Sequence, residues 1–171
     1  MRLSVALLSA TALLLTSALA TRVTVPGTTL SLEVPSGFTR MTADMIALKY
    51  SRGVPPRMVY TTADSRVNIA FELRDSKLPA ARLGEFGVFM KDFIGKNIKV
   101  LKWEGSGPRS LGGRAWYELA FTFQATDQPV YDRLLITSEQ GRALVVTVNA
   151  TTQDLPKYRP VLDQAINSLR F

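Results

Sequence analysis

The sequence predicts an α+β fold in which amphipathic helices cover an antiparallel sheet. Several segments alternate apolar and polar residues with a period of two, the pattern of half-buried strands. Two other segments, one after Pro79 and one after Tyr158, carry apolar residues at helical spacing. Short turn-like connections separate most strand segments, and such connections favour antiparallel pairing.

The strand predictions follow the alternating pattern along the chain. In the segment 67–74, for example, Val67, Ile69 and Phe71 share one face while Asn68 and Glu72 lie on the other. The predicted strands cover residues 28–34, 57–62, 67–74, 99–104, 115–123, 130–137 and 142–150. A short helix is expected over residues 43–48, and the residues Ser138 to Gly141 predict a hairpin turn. Gly105 to Pro108 is interpreted as a loop.

Two longer helices are predicted from apolar stripes. The first begins at Pro79 and ends near Gly95, and its stripe comprises Leu83, Phe86, Met90, Phe93 and Ile94. Gly84 and Gly87 weaken this helix, each by roughly 1 kcal/mol relative to Ala. The second has the stripe Tyr158, Val161, Leu162, Ala165, Ile166 and Leu169. Pro160 predicts that its regular part starts near Arg159, after a 3₁₀ turn over residues 155–157.

Residues 1–20 have the pattern of an export signal. Arg2 is followed by an apolar run from Leu3 to Leu15, and Ala18-Leu19-Ala20 offers small residues at a cleavage site. Residues 21–171 would then form a single domain, exported to the periplasm or the outside of a bacterial cell and without a membrane span after cleavage. An uncleaved N-terminal anchor is the alternative.

The chain contains neither His nor Cys, and this removes much of the usual chemistry. Serine and cysteine triads need an imidazole or a thiol, and zinc, copper and iron sites favour the same groups. An oxygen-only calcium or magnesium site around Asp127 and Asp132 was the one metal alternative, and turn and strand-end roles for both residues are the simpler interpretation. We therefore expect no cofactor, no metal and no catalytic residue.

Two alternatives to a binding role remain at this stage. Glu72 and Glu118 lie on the polar faces of two long predicted strands, so a carboxylate-based hydrolase could use them as a pair. A carrier of a small apolar ligand could use a pocket between the Phe-rich helix and the sheet. Trp116 would add a carbohydrate or peptide platform if it were exposed, although burial under a helix is the expected position.

Basic residues outnumber acidic ones by 21 to 14, which favours anionic partners. One group is proposed as a surface for such a partner: Arg40, Lys49, Arg52, Arg57 and Arg66. A second group comprises Lys91, Lys96, Lys99 and Lys102. The aromatic residues lie mainly on predicted apolar faces, so we expect no nucleic-acid partner. An envelope protein, or an anionic envelope polymer or lipid, is the partner class that fits.

Four segments together resemble the PsbP-like fold family, which includes the photosystem oxygen-evolving subunit P, the Ran-binding Mog-type proteins and the DcrB-type bacterial envelope proteins. They are Leu32 to Phe38, Val67 to Phe71, Gly113 to Glu118, and the run from Tyr131 to Leu169. The resemblance covers nearly all of residues 21–171. It implies a small, non-enzymatic accessory or binding protein, and it transfers no catalytic or metal-binding residue to this chain.

Overall fold

The structure, a computed structural model, describes residues 20–51 and 54–171. The predicted export signal, except for Ala20, lies outside the described residues. The described strands are β1 Thr21–Thr24, β2 Ser31–Val34, β3 Thr39–Arg40, β4 Met58–Thr61, β5 Val67–Lys77, β6 Val100–Leu111, β7 Arg114–Gln124, β8 Pro129–Glu139 and β9 Arg142–Thr151. The described helices are α1 Ala43–Lys49, α2 Leu83–Asn97 and α3 Leu155–Asn167, with a 3₁₀ turn at Ala80–Arg82 before α2.

Seven of the described strands form one antiparallel sheet in the order β3-β4-β5-β9-β8-β7-β6, and β1 and β2 form a separate hairpin. The α+β prediction is confirmed. The two-residue turn between β8 and β9 lies where it was predicted, because Gln140 and Gly141 adopt φ angles of 52° and 75°. Positive φ at both positions is what a tight turn between twisted strands requires.

One face of the sheet is covered by α3 and by the β1–β2 hairpin, and the chain's larger apolar core lies there. The hairpin is attached to the end of α3, since Ser31 and Arg170 pair through their backbones and the Glu33 amide donates to Ser168 Oγ at 2.8 Å. The core includes Phe71, Trp116, Leu135, Leu144, Val146 and Leu162. We call this side of the sheet the α3 face.

The opposite side of the sheet carries α1 and α2, and we call it the α1–α2 face. Helix α2 covers one apolar cluster that includes Leu83, Met90, Ile94, Tyr117, Leu119 and Phe121. Helix α1 covers a much smaller cluster of Met41, Val59 and Ala70. The two clusters are distinct, so this face has two small apolar cores where the α3 face has one large core.

Three details of the sequence prediction are wrong. Residues 105–108 do not form a loop, because β6 continues through them to Leu111 along the edge of the sheet, with register shifts between Val100 and Lys102 and between Trp103 and Gly105. Helix α2 continues past Gly95 to Asn97. Helix α3 begins at Leu155 and contains Pro160, without a separate 3₁₀ turn. Long pairing with β7 stabilises a glycine- and proline-containing segment that local propensity disfavours.

Candidate functional site: the α1–α2 face

Large exposed apolar side chains are concentrated on one side of the molecule. Among the described residues, α1 and the loop after it expose Met45, Leu48 and Val54, and α2 exposes Val88, Phe89 and Phe93. Ile98 and Leu101, which follow α2 directly, complete this set. No such residue belongs to α3 or to the described hairpin. A contiguous exposed apolar patch usually marks a binding surface.

Helix α2 has two apolar stripes. The first faces the sheet, as predicted, and comprises Leu83, Met90 and Ile94 together with Gly87. The second consists of Phe86, Phe89 and Phe93, whose ring centroids follow one another at 6.3 and 6.2 Å. Phe89 is 60% exposed and Phe93 is 51% exposed. The prediction that Phe93 belongs to the buried stripe is wrong, because the spacing of 3 and 4 residues also fits a stripe on the helix flank. We call Phe86, Phe89 and Phe93 the Phe stripe.

Gly87 sets how closely α2 approaches the sheet. A Cβ atom at this position would lie 2.1 Å from Cγ of Tyr117, so only glycine allows the observed contact. The helix backbone therefore lies directly on the Tyr117 ring and leaves no room there for a ligand. This contradicts the predicted carrier pocket between helix and sheet.

A cleft of about 280 Å³ lies beside α2 instead. It is lined by Leu78, Pro79, Phe86 and Phe89, with the charged groups of Lys77, Arg82 and Glu85 at its border. Arg82 and Glu85 form an ion pair at 2.9 Å. The cleft connects the Phe stripe with the end of β5, so part of the aromatic surface is concave and the rest projects into solvent.

A row of polar side chains crosses the sheet on the α1–α2 face. Register places Thr61, Asn68, Asn149 and Asp132 next to one another on β4, β5, β9 and β8. Thr61 donates to Asn68 at 2.8 Å, and Asn68 Nδ2 donates to Asn149 Oδ1 at 2.7 Å. Buried polar groups are normally hydrogen-bonded in this way. We call these four residues the polar row.

Lys49 and Tyr50, at the end of α1, approach the polar row. Lys49 Nζ donates to Asn68 Oδ1 at 3.1 Å and to the Ser65 carbonyl. Burial lowers the pKa of Lys49, although the charge of Asp64 opposes the change. Burial, with a smaller contribution from Asp132, raises the pKa of Tyr50 to about 12. Tyr50 is therefore a neutral phenol at physiological pH.

Asp132 ends the row as its acidic member. Its Oδ1 atom is enclosed and has no hydrogen-bond partner among the described residues. Burial, and secondly the charge of Glu72, raises the pKa of Asp132 to about 7. A carboxyl group in this state can exchange a proton near neutral pH or accept a donor from a bound molecule. Sequence analysis considered Asp132 only as a cation ligand, and the signal it missed was an acid between Val130 and Leu134 on the inward face of β8.

A second cleft of about 620 Å³ adjoins Tyr50. It is lined by Tyr50, Val54, Pro55, Arg57 and the β5 residues 72–76. Glu72 at its wall accepts from Arg74 Nη2 at 2.7 Å. The cleft and the smaller one beside α2 follow successive residues of β5, so both open on the same side of the sheet.

The five basic residues predicted to form an anionic-partner surface do not meet in one patch. Arg57 lines the larger cleft, whereas Arg66 lies at the opposite end of the β4–β5 pair and forms an ion pair with Asp154 at 3.0 Å. Lys49 is engaged by the polar row, and Arg40 is exposed on β3. Arg52 lies outside the described residues.

The proposed catalytic pair is wrong, because Glu72 and Glu118 lie on opposite faces of the sheet with two strands between them. Glu118 lies on the α3 face and contacts Arg109 at 2.7 Å and Arg133 at 3.0 Å. Burial acts to raise the pKa of Glu118, but the hydrogen bonds and charges of the two arginines outweigh it and lower that pKa. Glu118 is a structural ion-pair residue.

Two other sequence alternatives are also resolved by position. Trp116 is 0% exposed on the α3 face, and its indole Nε1 donates to the Leu111 carbonyl at 3.1 Å, so it provides no exposed platform. Among residues 20–51 and 54–171, no group of three or more acidic side chains could hold a metal ion. Asp127 lies in the exposed turn between β7 and β8, away from the polar row.

Comparisons with known proteins place the fold. No family model and no curated protein sequence matches the chain. The solution structure of cyanobacterial PsbP from Synechocystis sp. PCC 6803 is similar, with a TM-score of 0.57, 13% identity, and coverage of 95% of this chain and 98% of that one. LpqN of Mycobacterium tuberculosis, a protein involved in cell envelope biogenesis, has a TM-score of 0.55, 17% identity and coverage of 83% and 82%.

A third similar structure is PA94 of Pseudomonas aeruginosa, a protein of unknown function. It has a TM-score of 0.51, 16% identity, and coverage of 87% of this chain and 94% of that one. At these identities the likeness concerns the arrangement of helices and strands. Both the sequence resemblance and the matched structures lead to one conclusion: this protein has the PsbP-like fold.

Proposed function

We propose that the protein is an exported, non-enzymatic accessory protein of a bacterial cell envelope that binds another envelope component through its α1–α2 face. The observation that carries this proposal is the contrast in exposure between the two sides of the sheet. The described apolar side chains of the α3 face are enclosed, whereas the other face exposes six large ones on α1, on α2 and in the loop after α1. Exposed apolar surface of this kind is typical of a binding site.

Three further points support the proposal. Residues 1–20 have the composition of an export signal. Within the described residues, no helix is both long enough and apolar enough to span a bilayer. The similar M. tuberculosis protein takes part in cell envelope biogenesis, which agrees with an envelope location.

A binding role also agrees with the chemistry of the face. Glu72 pairs with Arg74, and Asp132 has no second carboxylate in contact to act as an acid–base partner. Of the predicted basic surface, Arg57 in the larger cleft and the exposed Arg40 remain candidates for contact with an anionic partner.

Photo-cross-linking in intact cells tests this proposal. A benzoylphenylalanine at Phe89 should give a defined adduct, because that ring is exposed on the proposed face. The matched control is the same photo-reactive residue at Lys157, which is exposed on α3. Equal adducts from both positions, or none from Phe89, Phe93 and Leu48, would contradict the proposal.

A further inference from the structure

The charge around the Phe stripe is concentrated and positive. Residues 77–102 hold six basic and two acidic side chains, so this stretch accounts for four of the seven net positive charges of the chain. The basic residues are Lys77, Arg82, Lys91, Lys96, Lys99 and Lys102. Within the described residues, no ion pair involves any of the five lysines. The aromatic surface is therefore bordered by uncompensated positive charge.

The two acidic residues of this stretch do not cancel that charge at the stripe. Glu85 is already paired with Arg82 at 2.9 Å. Asp92 follows Phe89 by three residues and precedes Phe93 by one, so it lies outside the Phe stripe on the solvent side of the helix. The lysines at the C-terminal end of α2 and beyond it, Lys96 and Lys99, are exposed.

We infer that the Phe stripe binds the surface of an anionic lipid bilayer. This inference rests on the proposed function and names the partner of its α2 surface. An amphipathic helix that carries Phe on one side and Lys at its border is suited to lie at the boundary between headgroups and acyl chains. The rings enter the apolar layer, while the lysine stems extend along it and keep their ammonium groups at the anionic headgroups.

The structure favours a bilayer over the other occupants of such a surface. A second copy of the chain would bring the same net positive stretch against itself, and like charges across an interface oppose association. A protein partner would need a groove for the stripe, yet Phe89 and Phe93 project from a convex helix flank and stack on one another. A fluid lipid surface adapts to such a flank without a preformed complementary groove.

Vesicle flotation tests the inference with the protein purified from its host in its natural processed form. Vesicles of phosphatidylglycerol and phosphatidylcholine in equal parts are compared with vesicles of phosphatidylcholine alone. We expect binding to the anionic vesicles, weakening as salt is raised, because exposed charges are screened at high ionic strength. Replacing both rings, Phe89→Gln with Phe93→Gln, should lower the partition coefficient about tenfold or more, since both rings lose their burial in lipid.

The matched control is Leu48→Gln, which removes an 84% exposed leucine on α1, outside the lysine-rich stretch. It should change the partition coefficient less than about twofold. Urea unfolding of each variant checks that the fold is retained; if the double variant does not fold, Phe89→Gln alone replaces it. Equal binding to neutral vesicles, an equal loss in Leu48→Gln, or no loss on replacing Phe89 and Phe93 would overturn the inference.

Further outcomes separate this inference from the proposed function. Absence of vesicle binding, together with a protein adduct from benzoylphenylalanine at Phe89, overturns the lipid inference and leaves the proposed function standing. A dimer that dissociates in the double variant shows that a second copy occupies the stripe, and it too overturns the lipid inference. Absence of both vesicle binding and any adduct overturns both.

Discussion

The two faces of the sheet are built from the same strands and yet differ in how they are closed. On the α3 face a helix and a hairpin enclose one large apolar core, and Arg133 joins β7 to α3 by contacting Glu118 at 3.0 Å and Asp163 at 2.6 Å. On the α1–α2 face the two helices cover separate clusters, and the polar row crosses the sheet. The α3 face is organised for stability, and the α1–α2 face exposes the groups that suit binding.

The difference teaches that the same strand pattern supports two roles. Inward positions of β5 and β9 are uniformly apolar toward α3, whereas toward α1 they include Asn68 and Asn149. Polar side chains at inward positions sacrifice apolar burial, which contributes about 25 cal/mol per Å². A protein retains such residues where stability is not the only requirement.

The largest effect is expected where the comparison uses the chain's two tryptophans. Trp116→Ala on the α3 face should lower the free energy of unfolding by about 3–5 kcal/mol, because a fully buried ring leaves a cavity. Trp103→Ala on the α1–α2 face should cost no more than about 2 kcal/mol, because this ring is half-buried and the site can relax. Urea unfolding followed by far-UV circular dichroism measures both. Equal losses would break the comparison between the faces.

A second effect concerns Asp132 and pH. Because its pKa in the folded protein is raised from 3.8 to about 7, the folded state retains a proton that the unfolded state has released between those pH values. The free energy of unfolding should therefore fall as pH rises from about 4 to about 7 and level off above 7. Asp132→Asn should remove this component, on the order of 3 kcal/mol, and stabilise the protein most above pH 7.

The measurement for Asp132 is urea unfolding across that pH range for the parent protein and the variant. The difference between the two isolates Asp132 from Glu118 and Glu139, whose pKa values are lowered and which add stability that is lost at lower pH. Asp127→Asn, in an exposed turn, is the control and should leave the profile unchanged. An identical pH dependence in Asp132→Asn would show that the carboxyl group is not responsible.

The smallest effect compares two glycines of α2. Gly87→Ala should destabilise the protein by about 1–3 kcal/mol, because the new methyl group collides with the Tyr117 ring. Gly84→Ala meets no atom within 4 Å and should stabilise it by about 0.5–1 kcal/mol through helix propensity. Thermal unfolding of both variants is the test. Changes of the same sign would mean that α2 can move away from the sheet.

Much of the fold follows from local patterns. The alternation in β5, β7, β8 and β9 predicted the central strands to within a few residues, because each has one apolar face against a core. β6 was predicted only to residue 104, since Gly105 and Pro108 have low strand propensity and only pairing with β7 extends it. The β1–β2 hairpin was half predicted, because β1 is short and its partner contacts are distant in sequence.

The candidate site was harder to predict than the fold. Glu72 and Glu118 had the same local signal, a carboxylate on the polar side of a strand, and only the register shows that they face opposite layers. Asp132 and Asn149 are neighbours through strand pairing and are 17 positions apart in the chain. The Phe stripe was visible as Phe at helical spacing, but the pattern did not reveal which of two stripes faces the sheet.

By itself, the sequence determined the strand and helix types, the absence of imidazole and thiol chemistry, and the excess of positive charge, because these depend on residue identity and short-range periodicity. Only the tertiary structure decided which side of each element is buried, which polar residues meet across strands, and which aromatic residues remain exposed. The physical reason is that burial and register are set by contacts between distant segments. Here Gly87 against Tyr117 fixes the inward side of α2, and Phe89 and Phe93 are left in solvent.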